Sequence, residues 1–429
     1  MVYVILGETA SGKTDCALSI CRALNLPLIS ADAYAIYRGF DIGSAKPTPA
    51  ELVGVEHYFI DALDFGQEIS AFEFQRDGRA LLDRFAREGR DCVVAGGTFL
   101  YVRALLFPYE FPDEEYDHVD VSPGELPTLV KQLLELDPEA GRVVDLKNPR
   151  RVERALALAR TGTTRSQLVD RFVNTPLYPA VFIRIQTDPD EVRARISARV
   201  KKMMADGLVA ETERLMAAAP DYAPRFRGIG FREICHRLTS GQSLDGVAEE
   251  IDIDTRQYAR RQRTFMRHQF PYTVELPRER VVPLVVEDVR MRGGMAMESN
   301  MQMDLPLVPQ MAMEYTPWID QLYRFGVRQI GIFTLDRGMV EDFVRAIHDH
   351  SPLMQVLVFD DLEIKKGKLP AFSYALPTPE GVRLDPTIEA FIAERGIATR
   401  SVEELDLPPQ GADEMAALKS EKEAKRWKI

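Results

Sequence analysis

The 429-residue chain has a formal net charge of −12, with 45% hydrophobic and 28% charged residues, a globular composition long enough for two or three domains. No run reaches the ~18 apolar residues of a membrane span, and a strand beginning at residue 2 leaves no place for a signal peptide, so a cytoplasmic protein is expected. The four scattered cysteines form no C-x-x-C pair, which argues against a disulfide framework and a zinc knuckle, whereas the acidic balance does not exclude nucleic acid, because a basic groove can sit on an acidic protein.

Val2-Tyr3-Val4-Ile5-Leu6 reads as a short buried strand. It runs into Gly7-Glu8-Thr9-Ala10-Ser11-Gly12-Lys13-Thr14, a match to the phosphate-loop pattern G-x-x-x-x-G-K-[ST]. In such a loop the glycines permit a tight turn that points backbone N–H groups at an anion, Lys13 adds a cation, and the Thr14 hydroxyl can ligate magnesium. Helical spacing follows from Asp15 to Leu24. The loop announces a phosphate without saying which molecule carries it.

Leu28-Ile29-Ser30 is a second strand, followed by Asp32. His57 to Asp61 reads as a third, Phe72 to Glu88 as a helix, and Asp91 to Ala95 as a further strand ending in Gly96-Gly97-Thr98-Phe99-Leu100-Tyr101. This alternation predicts an α/β fold, a P-loop parallel sheet with helices on both faces. Across 107–178 strand signals give way to helical ones, at Leu126 to Leu136 and Arg150 to Ala159, which predicts an inserted helical subdomain. The sheet resumes at Pro179 to Ile185, with an arginine-rich helix from Glu191 to about Met204 and a basic helical stretch from Thr255 to Arg267. Residues 1–106 and 179–278 would then form the P-loop core.

Seven of the fifteen methionines fall between Met291 and Met313, among Gly293, Gly294, Pro306 and Pro309, which predicts a linker over 279–313. A small α/β module is expected over 314–429. Its predicted elements are a helix at Tyr315 to Phe325, a strand at Arg328 to Thr334, a helix at Met339 to Asp349 and a strand at Met354 to Phe359, before a lysine-rich tail. Residues 280–429 hold 24 acidic and 18 basic side chains, no obvious nucleic-acid appendage. Asp360-Asp361 fits a metal ligand pair or a solvated strand end.

Four features carry chemistry. Asp32, at a strand's carboxyl end, suits a general base or a magnesium shell, and equally an aspartate capping the next helix. Gly96-Gly97-Thr98 allows close backbone approach and offers one hydroxyl, as a plain turn also would. Arg195 and Arg199, four apart, share a helical face that could clamp phosphates or simply be solvated, with Arg193 and then Lys201 and Lys202 nearby. Two basic clusters, Arg150 to Arg154 and Arg256 to Arg267, the second interleaved with Tyr258 and Phe265, suit phosphate contacts and base stacking.

In this order the blocks Gly7 to Thr14, Asp32 to Tyr37, Asp41 to Pro47, Gly96 to Tyr101, Pro149 to Leu156 and Thr255 to Phe265 resemble the tRNA dimethylallyltransferase family. The resemblance spans about 270 residues and leaves the last 150 or so unexplained. It implies transfer of a dimethylallyl group from dimethylallyl diphosphate to N6 of the adenine 3′ of a tRNA anticodon, by a monomer that uses Mg2+ and no membrane. Carried over, it puts Gly7, Thr9, Ala10, Ser11, Gly12, Lys13 and Thr14 on the diphosphate, with Thr14 on the metal. Asp32 becomes the base that takes the N6 proton, Thr98 lies beside the reacting centre, and Arg199 binds the diphosphate. Contact with tRNA falls to Asp32, Ala33, Tyr34 and Ala35, to Arg150, Arg151 and Arg154, to Arg227, Gly230 and Arg232, and to Arg261 and Gln262. Ala33 stands where the family has serine, Ala35 where many members are polar, Ser44 for threonine and Phe265 for tryptophan. Truncation near residue 280 is expected to spare activity. A small-molecule P-loop kinase and a catalytically silent RNA-binding protein on the same scaffold are the competing readings.

Overall fold

The computed structural model describes residues 1–111, 125–171, 176–220, 226–270 and 273–292, and beyond them 302–306, 329–333, 344–345, 347–348, 351–353 and 355–359. Its centre is β1 (Val2–Leu6), apolar at every position because both of its faces are covered. Successive side chains point to opposite faces, and so serve two cores: Tyr3 and Ile5 pack into one, Val2, Val4 and Leu6 into the other. β2 (Leu28–Ser30), β3 (His57–Tyr58), β4 (Cys92–Ala95), β5 (Ala180–Ile185) and β6 (Val274–Leu276) complete a six-stranded sheet in the order β3-β2-β4-β1-β5-β6. Every pairing is parallel. β3 is shorter than the predicted His57 to Asp61, because Phe59 and Asp61 take positive φ of 60° and 49° and break the extended run.

The crossover helices are α1 (Lys13–Leu24), the one-turn α2 (Pro49–Leu52), α3 (Ala71–Arg87) and α4 (Phe99–Leu106). Ser70 and Glu73 cap α3 reciprocally, which fixes where it starts. After β5 the chain builds a helical layer from α9 (Pro189–Asp206), α10 (Leu208–Ala218), α11 (Phe231–Thr239) and α12 (Val247–Gln269). Val192, Ile196, Val200 and Met203 face inward on α9 and meet Ile234, Ile251 and Ala259 in a third core.

Between β4 and β5 lie α5 (Leu126–Leu136), α6 (Ala140–Val143), α7 (Pro149–Arg160) and α8 (Arg165–Arg171). They bury a core of their own, around Leu133, Val152, Ala155 and Leu156. The excursion returns to its point of departure, where the Leu177 N–H donates to the Leu106 carbonyl at 2.7 Å.

The predicted linker over 279–313 is corrected. Residues Arg278–Arg292 form α13, whose Val281 and Val285 are fully buried in the same core as Tyr3 and Ile5, against α1. The buried carboxyl of Asp288 accepts the Tyr3 hydroxyl. Apolar residues at four-residue spacing, Val281, Val285 and Val289, were the signal, obscured by the methionines and glycines that follow. The P-loop core thus extends past residue 278, and a cut near residue 280 falls inside it.

Within the same predicted linker, Gln302–Pro306 is a strand, β7, and it pairs in parallel with β8 (Gln329–Phe333), itself parallel to β9 (Gln355–Phe359). β8 and β9 match the predicted strands. Of the predicted Met339 to Asp349 helix, residues 344–345 and 347–348 are described and helical, and Val344, Ile347 and Leu353 join the core around Tyr3. The predicted helix at Tyr315 to Phe325, Asp360-Asp361 and the lysine-rich tail lie outside the described residues. Among the described residues no helix is long and apolar enough to cross a membrane, and no disulfide joins the four cysteines, all buried.

Candidate active site

In a parallel sheet the carboxyl ends of neighbouring strands open on one crevice. Here the ends of β1, β2 and β4 bring together the phosphate loop, Asp32 and Gly96-Gly97-Thr98, the three sequence blocks that follow those strands. Gly96 is required by that approach: a Cβ there would collide with the Ala31 backbone. A Cβ on Gly97 would sit 3.2 Å from Gln262 Nε2 and 3.3 Å from Asp32 Oδ2, so this glycine keeps open the space beside the carboxylate.

The expected cap on the next helix is corrected: α2 begins only at Pro49 and is capped by Thr48, and Asp32 braces a turn instead. Its Oδ1 accepts the N–H groups of Tyr34 at 3.0 Å and Ala35 at 3.3 Å, while Oδ2 faces the Gly97 side of the crevice. Thr98 braces the same loop, its hydroxyl accepting from the Ala33 N–H at 3.0 Å.

The phosphate loop leads into α1, whose first N–H groups have no partner within the helix and whose N-cap, Gly12, supplies no side chain. Lys13 lies half-buried in the crevice, its Nζ 3.4 Å from the Glu8 carbonyl. Burial pushes its ammonium down to about 8; Asp32 and Glu8 oppose that shift, and Arg199 reinforces it. The Arg199 guanidinium is lowered by burial against the pull of Asp32, so these three charges share one site. Ser11 Oγ, beneath the loop, is buried without a hydrogen-bond partner among the described residues.

α9 resolves the arginine series. Arg193 pairs with Asp190 at 3.0 Å and Arg195 with Glu191 at 2.8 Å, both in solvent, whereas Arg199 turns inward and donates to the Ser44 carbonyl at 3.4 Å. The block from Asp41 to Pro47 is the scaffold for that contact. The buried Glu211 carboxylate accepts from the N–H groups of Asp41, Ile42 and Gly43 at 2.9–3.2 Å. Lys46 binds Asp41 at 2.8 Å and the Tyr37 carbonyl at 2.8 Å, and it also pairs with Asp61.

Several expected RNA contacts turn inward. Ala35 is buried, so its missing polar group costs nothing at the surface. Gln262 is buried too, with Oε1 accepting from Thr9 N–H and Nε2 donating to Gly97 O, both at 2.8 Å. The Thr9 amide is therefore committed to Gln262 rather than turned toward an anion. The interleaved aromatics are half-buried: Tyr258 donates to Gly97 O at 2.8 Å, and Phe265 packs among Phe99 and Phe270. Arg256 pairs with Asp252 and Arg263 with Glu8, which leaves Arg260, Arg261 and Arg267 exposed on the outer side of α12.

Arg150, Arg151 and Arg154 are exposed on α7, in the insertion. Arg227 is exposed, and its N–H donates to the Tyr34 hydroxyl at 3.1 Å. Gly230, buried at φ 96°, starts α11, and the exposed Arg232 is paired with Glu233 and Asp254. Sequence reading missed Glu8, Arg263, Thr187 and Glu211. Glu8 and Arg263 meet at 2.9 Å across 255 positions, and no local pattern marks such a pair.

The model of the IPP transferase family matches residues 35–269. A tRNA dimethylallyltransferase of Leuconostoc citreum is 36% identical over 273 residues, covering 63% of this chain and 91% of that protein. The tRNA dimethylallyltransferase of Bacillus subtilis is 34% identical over 280 residues, covering 63% and 89%. Among solved structures, the full-length tRNA isopentenylpyrophosphate transferase of Bacillus halodurans aligns over 67% of this chain and 95% of that one, with TM-score 0.51 and 27% identity. A eukaryotic dimethylallyltransferase acting on tRNA aligns over 65% and 73%, with TM-score 0.56 and 22% identity, a likeness of fold.

Proposed function

The chain belongs to the IPP transferase family, and on that premise we propose that it transfers the dimethylallyl group of dimethylallyl diphosphate to N6 of the adenine 3′ of a tRNA anticodon, releasing diphosphate. One observation carries the reading: Lys13, Asp32 and Arg199, all half-buried, lie close enough to act on one another's charge in the crevice beside the carboxyl ends of β1, β2 and β4. Two cations there suit a departing anion, and the carboxylate suits an incoming amine.

In the proposed reaction the N6 lone pair attacks C1 of the dimethylallyl group. The C1–O bond breaks, its electron pair leaves with the diphosphate, and the N6 proton passes to Asp32. Lys13, Arg199 and the amides at the start of α1 neutralise the leaving group, an effect worth most where water is excluded. Asp32 Oδ1 is tied to the backbone, so Oδ2 is the oxygen for the proton. Thr98 holds that loop still.

Thr14 would hold a magnesium ion together with diphosphate oxygens, and the ion, when bound, spreads leaving-group charge. Among the described residues no three His, Cys, Asp or Glu side chains gather as a metal site. A stacked loop adenine must be flipped out to reach the crevice. Arg150, Arg151 and Arg154 on α7, Arg227 and Arg232 beside α11, and Arg261 with Arg260 and Arg267 on α12 present cations for the anticodon stem-loop. In this reading the enzyme works as a cytoplasmic monomer.

The test is incubation of the protein with labelled dimethylallyl diphosphate and an anticodon stem-loop RNA. Label on the RNA adenine with release of diphosphate is expected. Products that form only with ATP, and no label on RNA, would overturn the reading in favour of a kinase.

A further inference from the structure

Two consecutive residues of the phosphate loop are gripped by two consecutive residues of α12. Glu8, buried, takes Arg263 Nη2 at 2.9 Å and Nε at 3.2 Å, with Thr187 Oγ1 at 3.0 Å completing its shell. Thr9 N–H goes to Gln262 Oε1, and the other end of the same amide reaches Gly97 O. Gln262 therefore spans from the loop after β1 to the loop after β4, and its Nε2 and Asp32 Oδ2 both border the space that Gly97 leaves open. Only an amide offers an acceptor and a donor at the two ends of this bridge; a carboxylate keeps the first and loses the second.

We propose that Gln262 is a positioning residue for the transfer, setting the separation between the phosphate loop that holds the leaving group and the Gly97-Thr98 loop that flanks the acceptor amine. The proposal rests on the transferase reading above. It assigns α12 two faces with different work: Arg260, Arg261 and Arg267 outward, Gln262 and Arg263 inward against the loop. Gln262 is 4% exposed, so its side chain is committed to the two loops it joins. Reacting atoms misplaced by about 1 Å lose on the order of 10²-fold in rate, so a bridge between the two loops acts on the chemical step.

The test compares wild type, Gln262→Leu and Gln262→Glu in the full chain. Four quantities are read: single-turnover transfer at saturating substrates, stem-loop affinity, affinity for inorganic diphosphate, and melting temperature. The Leu variant is expected to lose roughly 10²-fold in transfer rate and several-fold in diphosphate affinity, measured well below its melting temperature, with stem-loop affinity within about twofold. The Glu variant keeps the volume and the Thr9 bond. It carries the comparison if the Leu variant does not fold, and it is expected to lose transfer because it has no donor for Gly97. Unchanged transfer in a folded variant overturns the proposal, as does lost RNA affinity with transfer intact at saturating RNA. A wild type that transfers nothing refutes the transferase reading instead; the positioning role then stands or falls on the loss of diphosphate affinity alone.

Discussion

The Thr98 hydroxyl accepts the Ala33 N–H at 3.0 Å, so the loop after β4 holds the loop after β2, and with it Asp32. Thr98→Val keeps the shape and removes the acceptor. It leaves that half-buried N–H unpaired, at a cost of about 1–3 kcal/mol. We expect kcat to fall at least ~10-fold through misplaced Asp32 while Thr98→Ser keeps most activity, a contrast that steady-state kinetics with parallel melting curves will check. Equal loss in both variants would remove the hydroxyl from this role.

Arg199 and Arg195 separate by function although four residues apart on α9. Arg199→Gln is expected to lower kcat by about 10²–10³-fold, the scale of losing one group that stabilises transition-state charge. Arg195→Gln breaks only an exposed pair with Glu191, worth about 0.2–1 kcal/mol, and should leave turnover unchanged. Comparable losses in the two variants would contradict the inward turn of Arg199.

Lys13 predicts opposite pH trends for stability and for anion binding. Its folded value, about 8, lies below the ordinary 10.5, so the unfolded chain holds more protons between the two. The burial cost of the ammonium is full below about 8 and vanishes above 10.5, and this group's contribution to stability rises with pH across that window. Diphosphate needs the ammonium, and its affinity should fall as pH climbs through about 8. Calorimetric titration of inorganic diphosphate on both sides of that value checks this. Lys13→Arg, charged throughout, should flatten the fall; an identical profile in the variant would assign the titration to another group.

The buried face of α13 predicts where the chain can be cut. A protein ending at residue 277 loses Val281 and Val285 from the core, roughly 1.5–3 kcal/mol for each buried side chain, together with the Tyr3–Asp288 bond. It is expected to be poorly soluble or to melt far lower. One ending at residue 292 keeps the helix. Melting curves and transfer assays on both decide, and a stable, active chain ending at 277 would show that α13 is dispensable.

The scaffold was legible in the sequence because its signals are local: β1 is apolar at every position, the periodicity from Phe72 to Glu88 announces α3, and Gly7 to Thr14 fit one loop. Asp32 and Thr98 stood out within ordered blocks, and Arg199 on a helical face shared with Arg195. Illegible were partners chosen by topology. Nothing near Glu8 foretells Arg263, 255 positions away, whereas the Arg256–Asp252 pair, four apart on α12, lay within reach of local spacing. Tyr258 and Phe265 looked like stacking aromatics because composition carries no facing; the helix turns both inward. α13 was hidden by the unusual composition of its successor.

The closure at Leu106 and Leu177 makes the chain between them a side branch whose length the sheet does not sense. Residues can be gained or lost there without shifting the register of β4, β1 and β5. The part that would meet RNA can therefore diversify, from one substrate population to another, at a pace of its own, while the chemistry beneath it stays under the stricter geometry of close-packed strands.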